Sequence, residues 1–162
     1  MRPAVICSSR TGNTRFLAER LAARHGLPLH SVRDVPAVPA GIPLVLGWWT
    51  WRGGPDRAML DFMDTVCGRD VFWFCTMTAY TDSEHAGNVR ARARSLLESR
   101  GCRVAGHFLC RGRLDPAVLA VSRHPMTPER MERIRSAESH PESADAEALS
   151  EAFMAAAGHW LI

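Results

Sequence analysis

The chain has 162 residues, 46% of them hydrophobic and 23% charged, a size and balance that suit a conventionally packed core and exclude a disordered polymer. The net charge of +3 is too small to mark a nucleic-acid-binding protein, and all twenty cations are arginines. Because lysine is absent, a Walker phosphate loop and a Schiff-base lysine are both excluded. Five cysteines (Cys7, Cys67, Cys75, Cys102 and Cys110) show no CxxC spacing, so buried thiols are expected rather than a metal cluster or a disulfide framework. Met1-Arg2-Pro3 leads straight into an apolar run, and no segment approaches the roughly 20 apolar residues of a membrane helix. The expected location is the cytoplasm, with no membrane partner.

Short apolar runs alternate with helical patterns along the chain. The first strand is read at Pro3 to Cys7, and a helix follows from Asn13 to His25, with Phe16, Leu17 and Leu21 inward and Gly26 as its stop. Pro28 to Val32 and Pro43 to Trp48 are the next strands. A second helix is read from Pro55, with Met59, Leu60, Met63 and Val66 on one side and its end at Gly68. Asp70 to Cys75 is a fourth strand, and the third helix has Thr81 and Glu84 at capping-box spacing and Gly101 as its end. Arg103 to Leu109 is the fifth strand, and the last helix runs from about Ala144 to Trp160. Between them, residues 111–143 hold a short helix after Asp115-Pro116 and another opened by Thr127-Pro128, read as a decorated connection inside one domain spanning 1–162. The alternation predicts an α/β fold, a parallel sheet with helices on both faces. His124 and His140 lie in Pro-bounded turns and lack a third clear ligand, so no metal is expected.

Three of the expected loops carry the chemistry. Ser8-Ser9-Arg10-Thr11-Gly12-Asn13-Thr14 joins the first strand to the first helix, where hydroxyls, a glycine and a helix N-terminus together suit a phosphate monoester. The competing reading is a polar turn that caps a helix. The second loop, Gly47 to Gly54, holds Trp48, Trp49, Thr50, Trp51, Arg52 and Gly53; indoles offer flat faces for a planar ring, and glycines let backbone groups approach its edge. Trp49 or Trp51 is the better stacking candidate, since Trp48 reads equally as a core residue. The third, Thr76-Met77-Thr78-Ala79-Tyr80-Thr81-Asp82, contains the only tyrosine.

The pattern Ser9-x-Thr11-Gly12-x-Thr14 after a first strand resembles the phosphate loop of flavodoxins. The resemblance implies a three-layer sandwich with a five-stranded parallel sheet of order 2-1-3-4-5, and flavin mononucleotide (FMN) bound by Ser8–Thr14, by Trp49–Gly53 and by Thr76–Tyr80. Thr78 stands where glycine is common in that family, and Tyr80 comes slightly later than its usual stacking residue. The sequence also resembles a subgroup associated with bacterial bilirubin reductase, in the Trp-rich second loop, Asp82-Ser83-Glu84-His85, His124-Pro125-Met126-Thr127-Pro128-Glu129 and His140-Pro141. The implied function is electron transfer to a cytoplasmic redox partner. The alternative is an NAD(P)H-dependent FMN or quinone reductase on the same fold. A Gly-x-Ser-x-Gly elbow is missing, which argues against a hydrolase. The arginines at 90, 92 and 94 and at 130, 133 and 135 read either as solvated helix faces or, since typical flavodoxins are acidic, as a docking face for an acidic partner.

Overall fold

The computed structural model describes residues 2–162. Five parallel strands form the main sheet: β1 (Ala4–Cys7), β2 (Leu29–Ser31), β3 (Leu44–Trp51), β5 (Asp70–Met77) and β6 (Arg103–Arg111). Their spatial order is β2-β1-β3-β5-β6, the order expected from the resemblance, with a two-residue strand β4 (Gly54–Pro55) paired antiparallel to the end of β3. Helices α2 (Arg57–Met63) and α3 (Glu84–Glu98) cover one face, and α1 (Asn13–His25) and α6 (Ser143–Ala157) cover the other. Each face has its own apolar core, because side chains alternate across a strand. Ile6, Leu46, Trp48 and Trp73 point to α2 and α3, whereas Val5, Val45, Phe72 and Phe74 point to α1 and α6. Trp48 is a core residue, stacked on Trp73 with ring centroids 4.9 Å apart.

Several boundaries differ from those read in the sequence. β3 continues to Trp51 and β5 to Met77, so Trp49, Thr50, Trp51, Thr76 and Met77 lie on strands. The reason is pairing: Trp48 and Trp49 find parallel partners in Cys75 and Thr76, and β4 closes a hairpin on Thr50 and Trp51. Pro55 belongs to β4, so α2 starts at Arg57, capped by Asp56, which accepts from the Met59 N–H. The helix ends at Met63, short of Gly68. In α3 the cap is Ser83, whose hydroxyl accepts from the Ala86 N–H, and Thr81 lies outside the helix. Helices α4 (Pro116–Val121) and α5 (Pro128–Ala137) occupy the 111–143 connection where Asp115 and Thr127 cap them. Four cysteines are buried, Cys67 is exposed, and all five thiols are free. Burial pushes Cys7 and Cys75 up to about 12, which makes them inert packing residues. Among the described residues, no helix is long and apolar enough to cross a membrane.

A cleft at the carboxyl ends of the strands

Strand order reverses between β1 and β3, and the loops that leave their carboxyl ends diverge there to open a crevice. This is where ligands bind in open α/β sheets, a rule for which flavodoxin is itself a standing example. Two adjoining cavities occupy the crevice and share Thr50, Met77 and Thr78.

The first, about 110 Å³, is lined on one side by Ser9, Arg10, Thr11, Asn13 and Thr14, and on the other by Trp49, Thr50, Trp51 and Thr76. Gly12 caps α1 with φ +100°, a left-handed conformation that costs glycine little. The Ser9 hydroxyl accepts from the N–H groups of Gly12 and Arg15, both at 3.2 Å. The N–H groups of Thr11, Asn13 and Thr14 find no acceptor among the described residues, so the α1 N-terminus presents free donors beside the Thr11 hydroxyl. Thr50 lines both cavities, but its hydroxyl is buried and faces the Cys75 thiol.

Not every side chain singled out in the first loop has a polar group free to meet a ligand. Ser8 is buried and donates to Asp56 Oδ2 at 2.6 Å, so its hydroxyl supports the α2 cap. Thr14 is fully buried, and its hydroxyl bonds that of Thr76 at 2.9 Å. Asn13 donates through Nδ2 to the Arg113 carbonyl at 3.0 Å, tying the α1 N-terminus to the segment after β6.

The second cavity, about 480 Å³, lies between the β3–β4 turn and the loop after β5. Arg52, Gly53, Ala79 and Tyr80 line it. Arg52 and Gly53 have φ of 50° and 77°, the paired positive values of a two-residue hairpin turn, and Arg52 is the one non-glycine residue with positive φ among the described residues. Its carbonyl accepts from Arg92 Nη1 at 3.0 Å, and its guanidinium lies 5.3 Å from the Trp51 ring centroid. Trp51 and Tyr80 are each 41% exposed, so both rings present open faces. Trp49 meets Trp51 edge-on at 5.7 Å.

Gly112, Arg113, Leu114, Asp115 and Val118 also line the first cavity, and Ser83, His85 and Arg133 the second. Sequence reasoning missed these. The caps of α4 and α5 were legible, but their position over the strand ends depends on contacts about a hundred residues apart, which local patterns do not encode. Asp115 pairs with Arg10 at 3.2 Å and roofs the first cavity. Arg52, Arg111, Arg113 and Arg133 around the crevice make no ion pair among the described residues. His140 Nδ1 lies 2.8 Å from Asp145 Oδ2, an oxygen that also accepts from the Glu142 N–H at the α6 cap. The Glu142 carboxylate completes a cluster with them, and Glu142 and Asp145 also form the capping box of α6.

A family model described as a flavodoxin domain matches residues 4–154. The flavodoxin-like domain-containing protein BilS of Clostridium symbiosum (strain WAL-14163) is 29% identical over 181 aligned residues, covering 98% of this chain and 87% of that protein. The fold is similar to that of the flavodoxin, WrbA-like protein from Agrobacterium tumefaciens, with a TM-score of 0.54 at 15% identity over 93% of this chain and 98% of that one. Flavodoxin 1 of Bacillus cereus gives a TM-score of 0.50 at 20% identity over 91% and 98%. Strand order, crevice and a family match spanning nearly every described residue agree, and the chain belongs to the flavodoxin family.

Proposed function

We propose that the chain binds FMN in the crevice and carries electrons to a protein partner with an acidic docking face. One observation carries the reading: free N–H donors at the α1 N-terminus open onto a cavity bordered by Trp49 and Trp51, which adjoins a chamber walled by Tyr80. The residues present fit the cofactor. Thr11, Ser9 and the α1 N–H groups would hold the phosphate, with Arg10 at the rim, and Trp51 and Tyr80 would flank the ring. When bound, the flavin supplies the redox chemistry. The chain's part is to orient it, to exclude water, and to set charge around its reduced form, where positive groups favour the added electrons.

The test is titration of flavin-free protein with FMN and with riboflavin, followed by fluorescence quenching. FMN binding at least tenfold tighter than riboflavin is expected, from one to two charge-assisted hydrogen bonds of about 1.5 kcal/mol or more each. Equal affinities would remove the phosphate seat. The second reading, a stand-alone NAD(P)H-dependent reductase, is favoured by the 480 Å³ chamber, which offers room beside a ring for another substrate. Rapid NAD(P)H oxidation with a quinone by the isolated protein would establish it.

A further inference from the structure

Tyr80 walls the ring chamber yet is held from behind by a residue that lines neither cavity. Arg111, the last residue of β6, lies with its guanidinium carbon 4.2 Å from the Tyr80 ring centroid. The same guanidinium donates from Nη2 to the Thr78 carbonyl at 3.0 Å and to the Arg133 carbonyl at 2.7 Å, and from Nη1 to Ser136 Oγ at 2.8 Å. Arg111 therefore joins the loop after β5 to α5, and it makes no ion pair among the described residues. Its neighbour Gly112 reinforces the join, donating to the Met77 carbonyl at 2.8 Å and accepting from Thr78 Oγ1 at 3.2 Å.

An exposed tyrosine on a loop would sample several rotamers. Here one ring face is occupied by a planar cation whose three nitrogens each donate to a fixed acceptor, so the other face is held toward the chamber. We propose that Arg111 is a positioning residue for the flavin site: it fixes Tyr80 as a stacking wall and makes α5 part of that wall's support. The assignment rests on the flavin reading above. It predicts that charge alone is insufficient, because lysine cannot reproduce a planar fork that reaches three acceptors while stacking on a ring.

Tyr80 is the only tyrosine, so protein labelled with 3-fluorotyrosine gives one fluorine resonance from this side chain. In the flavin-free protein, R111Q and R111K are expected to shift or broaden that resonance, and in titrations both weaken FMN and riboflavin alike, by about tenfold. Y80L, at an exposed position that does not threaten folding, is expected to cause a similar loss. Adding R111Q to Y80L should then cost less than about twofold more. R111K that matches wild type in resonance and in both affinities overturns the assignment, as does full additivity in the double variant. Should R111Q fail to fold by circular dichroism, R111K and S136A, which removes a single Arg111 partner, carry the same comparison. Failure of wild-type protein to bind either flavin overturns the flavin reading itself, a result separate from normal wild-type binding with indifferent Arg111 variants.

Discussion

Thr11 and Thr14 look alike in the sequence and differ in the fold. Thr11 is exposed at the free N–H donors, whereas Thr14 is buried with its hydroxyl on Thr76. Replacing Thr11 by alanine should leave stability within about 0.5 kcal/mol and weaken FMN, not riboflavin, by about tenfold. Replacing Thr14 should instead cost about 1 to 3 kcal/mol of stability in urea unfolding, since the Thr76 hydroxyl is left buried and unpaired. Asp56 poses a second contrast. It is buried, and one carboxylate oxygen accepts from Ser8 and Met59 while the other has no partner. Burial raises its pKa above 3.8, so the folded chain retains this proton to higher pH than the unfolded chain does. Its contribution to stability is therefore fullest below 3.8 and declines as pH rises through the folded value. Asp56→Asn abolishes that titration and keeps a good cap. Wild-type stability relative to Asp56→Asn should fall between pH 4 and 7; a constant difference would mean that Asp56 is not the titrating group.

At the scale of elements, helices and the five principal strands were legible because each has a local signature, such as Gly26 after α1 or Pro116 at the start of α4. The β3–β4 hairpin was not. Trp49-Thr50-Trp51-Arg52-Gly53-Gly54 reads as a glycine-rich loop, yet β5 extends alongside it and supplies a pairing partner that no local pattern reveals. The placement of α4 was equally hidden, and it has a testable effect. Asp115 puts a carboxylate in the wall of the cavity proposed to hold the phosphate, neutralising Arg10. Asp115→Asn can still cap α4, where the side chain accepts from the Ala117 N–H at 2.9 Å, but it removes the negative charge and frees Arg10. FMN should then bind about threefold to tenfold tighter with riboflavin unchanged, a gain diminished by salt. An equal change for both flavins would put α4 over some other part of the ligand.

Across the whole molecule, the arginine clusters visible in the sequence turn out to be largely committed. Arg90 donates to the Thr81 carbonyl, Arg92 to that of Arg52, and Arg130 to that of His124. Arg94 pairs with Glu98 and Arg135 with Glu132. These cations fasten loops and helix faces, so cluster size in the sequence is a poor guide to where a partner docks. Arg52 is the exposed cation at the mouth of the ring chamber that makes no ion pair among the described residues, and Arg133 lines the same chamber. If an acidic partner is steered to this edge, the rate of electron transfer from an acidic NADPH-dependent flavoprotein reductase should fall as salt rises, because fields between exposed charges are screened within about 10 Å at 0.1 M. Arg52→Glu should slow transfer several-fold at low salt and flatten the salt dependence, while Arg24→Glu, in the last turn of α1 and so at the end of that helix far from the crevice, should do neither. Stopped-flow reduction at several ionic strengths measures both. A rate indifferent to salt, or equal effects of the two reversals, would place docking elsewhere and leave the positive rim to act on the flavin alone.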